Sequence, residues 1–243
     1  MLHPAMHRPS TSPAAAPLGY TNGQLEALKW LGLGSMLVDH IGRHLLGAPQ
    51  DGWVFALGRF AFPLFALVLG LNLARVGDRE ARARRTAHRL LVWGAIAVLP
   101  SIAARGDPQM LNVLVTLGLG AAVCWLLESH AAWGLRALGC VAIAAVGWYA
   151  EFGTAGVFLV PAVYLAAMHR QPGLLAMAFL LLGGTAALNG QFGGWPAAAA
   201  TLASWGLAAA VRPVPLAMPR WQLFFYLFYP VHLALIGAWK SVA

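Results

Sequence analysis

Apolar segments of about 15 to 22 residues recur along nearly the whole chain, with short polar connections between them. Apolar residues make up 60% of the sequence and charged residues only 10%, a balance typical of membrane proteins. Only α-helices and closed β-barrels satisfy their backbone hydrogen bonds inside a bilayer. The segments are continuous and rich in Leu, Ala and Gly, without the alternation of barrel strands. The sequence therefore predicts an all-α, polytopic transmembrane helical bundle.

Nine segments are candidate membrane spans: 25–46, 53–73, 90–104, 110–127, 133–150, 153–168, 173–190, 195–211 and 221–239. Several are shorter than the roughly 20 residues that a perpendicular helix needs, which leaves half-spans or re-entrant segments open. The expected number of spans is therefore about nine, with an uncertainty of one. Residues 1–20 are rich in Pro, Ala and Ser, which predicts a disordered cytosolic tail. One membrane domain is expected to follow over 21–243. Thr21, three residues before Gln24, predicts a capping box at the start of the first helix.

Six arginines lie between Arg75 and Arg89, in a polar stretch that separates two of the apolar segments. Lys and Arg are retained on the cytoplasmic side of membrane proteins, so this stretch indicates a cytoplasmic N-terminus. The protein is expected to be a multi-pass protein of the bacterial inner membrane, with the lipid bilayer as a partner. Because orientation accounts for most of the net charge of +8, no nucleic-acid partner is expected.

Ionisable side chains within the predicted spans indicate a buried site, because they are costly in hydrocarbon and usually functional there. The candidates on the first, second and last spans are Asp39, His40, Arg43, Arg59 and His232. Asn112, Tyr229 and His232 are candidates for binding a substrate, and Thr116, Tyr149 and Glu151 are further candidates for lining the same cavity. A purely structural interpretation stays open, in which Asp39 and Arg43 form an intrahelical ion pair and Asn112 bonds neighbouring helices.

A second set of cations lies at the predicted cytosolic end. Lys29 precedes His40 by eleven residues, or about 16 Å along a helix, and Arg84, Arg85 and Arg89 fall in the arginine-rich stretch. Retention of positive charge and contact with anionic lipid explain such a stretch without a ligand. A phosphorylated donor bound there, with a long apolar arm reaching toward His40, would explain both the basic face and the buried cluster.

Four blocks of the sequence resemble a known family: LKWLGLGSMLVDHIGR, GRFAFPLFALVLG, RRTAHRLL and LFFYLFYPVHLALI. They are similar to successive blocks of the TraX family of conjugative-transfer membrane proteins, which N-acetylate F-type pilin, and the resemblance covers roughly residues 22 to 240. Lys29 and His40 are more distantly similar to the Arg-x10-His signature of the acyltransferase-3 family, with Lys in place of its Arg. The second block also resembles the corresponding helix of heparan-α-glucosaminide N-acetyltransferase.

The resemblance implies a transmembrane acetyltransferase that uses acetyl-CoA as co-substrate and needs no metal. Its acceptor would be a pilin N-terminal amine or another periplasmic or membrane acceptor. Lys29, Arg84, Arg85 and Arg89 would bind the donor phosphates. His40 would act as general base, oriented by Asp39, and Arg59 or Arg43 would stabilise the oxyanion.

Alternative functions stay open at this point. A proton-coupled transporter would use Asp39, His40 and His232 as a proton relay, although the two halves of the chain show no inverted repeat. If the protein were a scaffold of a secretion apparatus, the buried ionisable residues would have no functional role. A metal site formed by Asp39, His40 and His44 lacks a clear ligand from another helix.

Overall fold

The computed structural model describes residues 17–242, and the regular elements in that range are helices. They are α1 (Asn22–His44), α2 (Trp53–Gly58), α3 (Ala61–Leu73), α4 (Arg79–Ile96), α5 (Val98–Arg105), α6 (Val113–Glu128), α7 (Trp133–Gly147), α8 (Gly153–His169), α9 (Pro172–Val211) and α10 (Gln222–Lys240). The prediction of an all-α fold is confirmed for this part of the chain.

The predicted tail covers residues 1–20 and lies mostly outside the described residues, which begin at Pro17. Pro17–Gly19 form a 3-10 turn ahead of α1. Tyr20 is buried, and the guanidinium of Arg212 lies 6.0 Å from the centre of its ring. The chain is thus in contact with the bundle before α1 begins.

Each predicted span coincides with helix, but the count of about nine is supported only in part. Within residues 17–242, three helical stretches are long and apolar enough to cross a bilayer: Trp53–Leu73 (α2 with α3), Pro172–Val211 and Gln222–Lys240. The pair α4 and α5, bent by 49°, makes a fourth if it is one span. Helix α1 is long but carries four charged side chains, and α6, α7 and α8 are shorter than a perpendicular span.

Local sequence signals explain where these helices begin and break. The Thr21 hydroxyl accepts from the Gln24 amide, and the Gln24 side chain accepts from the Thr21 amide, which confirms the predicted capping box. The Asp78 carboxylate caps α4 by accepting from Ala81. Helix α9 is broken at Gly193 and Gly194, and Gly194 has a φ of +64° that glycine adopts without strain.

Helix α3 lies at the centre of the bundle, where Leu64, Ala66 and Leu71 have no exposed surface. It contacts α1, α6, α8 and α9. Close packing against α8 depends on Gly70, since a Cβ at that position would lie 2.7 Å from the Val163 side chain. The central helix is therefore closely packed, and its neighbours α1, α6, α8 and α9 set the surroundings of its side chains.

Candidate functional site

A basic cavity of about 420 Å³ opens at one end of the bundle, between α1, α3, α4, α6 and α10. Its cationic wall comprises Lys29, Arg75, Arg82, Arg85, Arg89 and Arg220. Its apolar floor includes Phe65, Val68 and Leu117. No acidic residue lines the cavity among the residues that the structure describes. The combination of many cations with an apolar floor suits an anionic ligand that also carries an apolar part.

The predicted donor-binding residues meet here with one exception. Lys29, Arg85 and Arg89 line the basic cavity. Arg84 does not, and its side chain is exposed to the surroundings of the bundle. The reason is helical periodicity, because residues 82, 85 and 89 follow one another at three and four positions and share a face, whereas 84 is rotated off it. Arg84 therefore lies outside the basic cavity.

The cations of the basic cavity differ in how far the protein neutralises them. The buried carboxylate of Glu26 lies 2.6 Å from Nζ of Lys29 and 3.6 Å from Nε of Arg220. Arg75 donates to the Asn22 side chain. Burial lowers the pKa of the Arg75 guanidinium, and repulsion by Arg220 and Arg82 lowers it further. The cluster thus carries unneutralised positive charge.

Arg85 and Arg89 differ from the other arginines of the cavity in how they are bonded. Arg82 donates to the backbone carbonyls of Leu73 and Val76, so it holds the α3–α4 connection. Arg85 and Arg89, by contrast, form neither an ion pair nor a hydrogen bond with the described residues. Their donors are therefore the ones available to phosphate oxygens, which guanidinium groups match well.

An inner cavity lies deeper in the bundle, along the same helices. It holds about 20 Å³ and is lined by Met36, Asp39, His40, Gly58, Arg59, Ala61, Phe62, Phe65, Val113, Glu151, Phe152 and Tyr229. Helices α1, α3, α6 and α10 line both cavities, and the Phe65 side chain belongs to both walls. The two cavities are thus stacked along the bundle and share one aromatic ring between them.

His40 on α1 and His232 on α10 form a buried hydrogen-bonded pair, with 2.7 Å between Nδ1 of His40 and Nε2 of His232. The other nitrogen of His232, Nδ1, lies 2.7 Å from the carbonyl oxygen of Phe228. A carbonyl only accepts, so this Nδ1 carries the hydrogen and Nε2 of a neutral His232 accepts from Nδ1 of His40. Nε2 of His40 therefore keeps its lone pair, the form a general base requires.

Asp39 does not orient His40, contrary to the expectation from sequence. Its carboxylate accepts from Nε and Nη2 of Arg43, at 2.7 and 3.0 Å, and from Nη2 of Arg59. Adjacent helical residues point about 100° apart, so Asp39 faces α2 while His40 faces α10. The partner that orients His40 is His232.

Arg59, just after α2, is the buried cation of the inner cavity, with a side chain only 8% exposed. Its Nε donates to the carbonyl of Phe55, and its guanidinium lies 4.0 Å from the centre of that ring. These bonds leave Nη1 without a partner among the described residues, available to a developing oxyanion. Arg43 lies outside the inner cavity, so it neutralises Asp39 rather than contacting a reacting group.

The predicted substrate-binding residues have three different outcomes. Tyr229 lines the inner cavity. His232 contacts His40 instead. Asn112 does not line the inner cavity: its Oδ1 caps α6 by accepting from Leu114, and its Nδ2 donates to the carbonyl of Gly94. Both ends of that amide are used in holding α6 against α4, as the structural alternative proposed.

Glu151 lines the inner cavity at the end away from the basic cavity. Its carboxylate lies 3.3 Å from Nη1 of Arg105, and its backbone amide donates to Leu111. Sequence reasoning named Glu151 as a candidate for lining this cavity, but it left Arg75, Arg82, Arg220 and Phe65 out of the site. The spacing of Arg82 from Arg85 was an available signal, whereas Phe65 carries no local mark that distinguishes it from the apolar residues around it.

Comparison with known proteins matches most of the chain to one family. The family model described as TraX protein matches residues 24–239. A Protein TraX of Escherichia coli is 32% identical over 234 residues, covering 90% of this chain and 88% of the relative. A Protein TraX of Escherichia coli strain K12 is 30% identical over 241 residues, with the same coverage. No solved structure matches the chain. The chain therefore belongs to the TraX family.

Proposed function

We propose that this protein is a membrane-embedded acetyltransferase that transfers the acetyl group of acetyl-CoA to an amine acceptor. The observation that supports it most directly is the stacking of two cavities along α1, α3, α6 and α10. One carries unneutralised arginines, and the other holds an imidazole with a free lone pair. The family resemblance of the sequence points to the same reaction, with the N-terminal amine of a pilin subunit as acceptor.

The basic cavity would bind the phosphates of acetyl-CoA. Arg85 and Arg89 have free donors for phosphate oxygens, and Lys29 and Arg220 add charge from the opposite wall. The volume of about 420 Å³ suits part of the donor, so the nucleotide end extends toward the opening. The pantetheine arm then points along the apolar floor toward Phe65 and carries the thioester to the inner cavity.

The reaction follows from the groups that line the inner cavity. The neutral amine attacks the thioester carbonyl carbon, and Nε2 of His40 accepts the proton that the nitrogen loses. Arg59 stabilises the negative charge on the carbonyl oxygen through its free donors. The carbon–sulfur bond breaks, the proton passes from His40 to the sulfur, and CoA leaves as the thiol. His232 stabilises the transient imidazolium by accepting from Nδ1.

The proposed topology follows the positive-inside rule. The N-terminus and the basic cavity would face the cytoplasm of a bacterial inner membrane, where acetyl-CoA is available. The acceptor would approach from the periplasmic side or from within the bilayer, through the end of the inner cavity that Glu151 lines. The transporter alternative has less support, because the hydrogen bonds of His232 end at a backbone carbonyl that has no proton to pass on.

The proposal is tested with the full-length protein purified in detergent. It is incubated with acetyl-CoA and a peptide carrying the N-terminal residues of a mature pilin, and the peptide is followed by intact mass. We expect a gain of one acetyl group. His40→Ala should lower the rate by about 10²- to 10⁴-fold while the protein stays folded, because it removes the base. Wild-type protein that neither binds acetyl-CoA nor transfers its acetyl group would refute the proposal.

Donor binding has a matched control on the same helix. Arg85→Ala with Arg89→Ala removes two groups that face the basic cavity, and each charged hydrogen bond contributes about 1.5–3 kcal/mol. We therefore expect the Kd for acetyl-CoA to rise by at least about 100-fold. Arg84→Ala removes an exposed arginine outside the cavity and should leave the Kd unchanged. Equal effects of the two changes would show that general positive charge, rather than this cavity, attracts the donor.

His232 is proposed as a positioning residue, and its variant separates binding from chemistry. His232→Ala removes the partner that keeps the hydrogen on Nδ1 of His40, so Nε2 is no longer held as the base. We expect kcat to fall by at least about 10-fold, less than the loss in His40→Ala, with an unchanged KM for acetyl-CoA. A higher KM with an unaltered kcat would instead assign His232 to substrate binding.

A further inference from the structure

The Phe65 side chain stands at the boundary between the two cavities. On α1 the basic cavity ends at Lys29 and the inner cavity begins at Met36, and the Phe65 ring lies against Gly32 between them. A Cβ at Gly32 would be 3.3 Å from Cε2 and Cζ of this ring, so the absence of a side chain there gives the ring its place. On α6 and α10 the boundary falls between Leu117 and Val113 and between Tyr226 and Tyr229.

The inner cavity offers very little space beside His40. Its volume is about 20 Å³, and about 10–15 Å³ accommodates one water molecule. A methyl group is of similar size, so the space beside His40 suits the methyl end of an acetyl group and not the chain of a longer acyl group. The surrounding wall is well packed: Phe62 stacks on Phe152 with 4.0 Å between ring centres, and Tyr229 is buried.

Two residues of the inner wall are only half-buried, Phe65 and Glu151. They lie at opposite ends of the inner cavity, Phe65 toward the basic cavity and Glu151 toward the α7–α8 turn. Close-packed neighbours hold the remaining wall residues, whereas the Phe65 ring borders the open space of the basic cavity on its other side. A thioester that enters from the basic cavity therefore reaches His40 past Phe65.

We infer that Phe65 determines the acyl specificity of this protein, by confining the space beside His40 to that of an acetyl group. The inference rests on the proposed acetyltransferase function and adds to it the residue that excludes longer donors. With the phenyl ring in place, a butyryl or hexanoyl chain has no room between His40, Met36 and the ring. Removal of the ring would join the two cavities and open a continuous apolar space for such a chain.

The test compares acetyl-CoA, butyryl-CoA and hexanoyl-CoA as donors for the full-length protein in detergent, with the pilin-derived peptide as acceptor. CoA release is measured by chromatography and acylation of the peptide by intact mass. One methylene in a confined apolar pocket changes kcat/KM by about 10- to 200-fold. We therefore expect the wild-type protein to prefer acetyl-CoA over butyryl-CoA by at least about 100-fold, and Phe65→Ala to reduce this preference by at least about 10-fold.

Leu69→Ala is the control, since Leu69 lies one turn further along α3 and lines only the basic cavity. It should leave the ratio of butyryl to acetyl transfer unchanged. Phe65→Leu serves as a second variant if Phe65→Ala does not fold, and an intermediate ratio is expected for it. A wild-type protein that uses butyryl-CoA as well as acetyl-CoA would overturn the inference, as would Phe65 variants with an unaltered ratio. Absence of acetyl transfer by the wild type would refute the proposed function itself, and the inference with it.

Discussion

Replacement of Asp39 by Asn tests the charge arrangement of the inner cavity most directly. The Asp39 side chain is 3% exposed and accepts three hydrogen bonds, two from Arg43 and one from Arg59. Each charged hydrogen bond contributes about 1.5–3 kcal/mol, and Asn retains one acceptor oxygen, so one or two of the three are lost. The larger effect is that two guanidinium groups then face each other without a counter-charge. We expect the free energy of unfolding to fall by about 3–5 kcal/mol.

The assay is unfolding of the detergent-purified protein by titration with SDS, followed by tryptophan fluorescence. Asp51→Asn is the control, because Asp51 is exposed and should change the free energy by less than about 0.5 kcal/mol. Arg59→Met in the Asp39→Asn background removes the uncompensated buried cation. The double variant should therefore be more stable than the sum of the two single changes predicts, by about 0.5–3 kcal/mol.

Two results would refute this reasoning. A loss below about 1 kcal/mol for Asp39→Asn would mean that the ion cluster is solvated rather than buried. Additive effects of Asp39→Asn and Arg59→Met would mean that the two side chains do not interact, whatever their distance.

Two further predictions concern the packing around the site. Gly58→Ala places a Cβ 2.4 Å from the Asp39 Cβ, so we expect the free energy of unfolding to fall by about 1–3 kcal/mol in the same titration. Gly34→Ala is the control, because its Cβ meets no heavy atom within 4 Å, and it should be neutral or stabilising by up to about 1 kcal/mol. Equal effects of the two changes would contradict the close approach of α2 to α1. Asn112→Ala removes the cap of α6 and the hydrogen bond to Gly94, so the free energy of unfolding should fall by about 1–3 kcal/mol while the Kd for acetyl-CoA stays unchanged. A higher Kd would instead place Asn112 in the binding site.

The helices and many of their boundaries could be predicted from the sequence because their signals are local. Continuous apolar segments predict helices in a bilayer, and the capping box at Thr21 and the glycines at 193 and 194 act within one turn of the chain. The number of membrane spans could not be predicted in the same way. The charges of α1 are paired within the helix and with Arg59 and Arg220 outside it, so hydropathy alone does not decide whether that helix crosses.

The residues of the candidate site were predicted in part. His40, Asp39 and Arg59 were identifiable because ionisable groups are rare in apolar segments. Their partners were not, since the assignment of Asp39 to Arg59 rather than to His40 depends on how far α1 is rotated against its neighbours. The same rotation decides that Arg85 faces the basic cavity while Arg84, one residue earlier, does not.

The sequence by itself determined the class of fold, the helical segments and the two kinds of polar residue, a basic end and a buried ionisable cluster. The tertiary structure alone decided that these meet along one path. His40 contacts His232 across 192 residues of sequence, and Phe65 separates the two cavities because Gly32 of another helix makes room for its ring. The physical reason is that composition and periodicity act within a few residues, whereas helix rotation and close packing are set by the whole bundle at once.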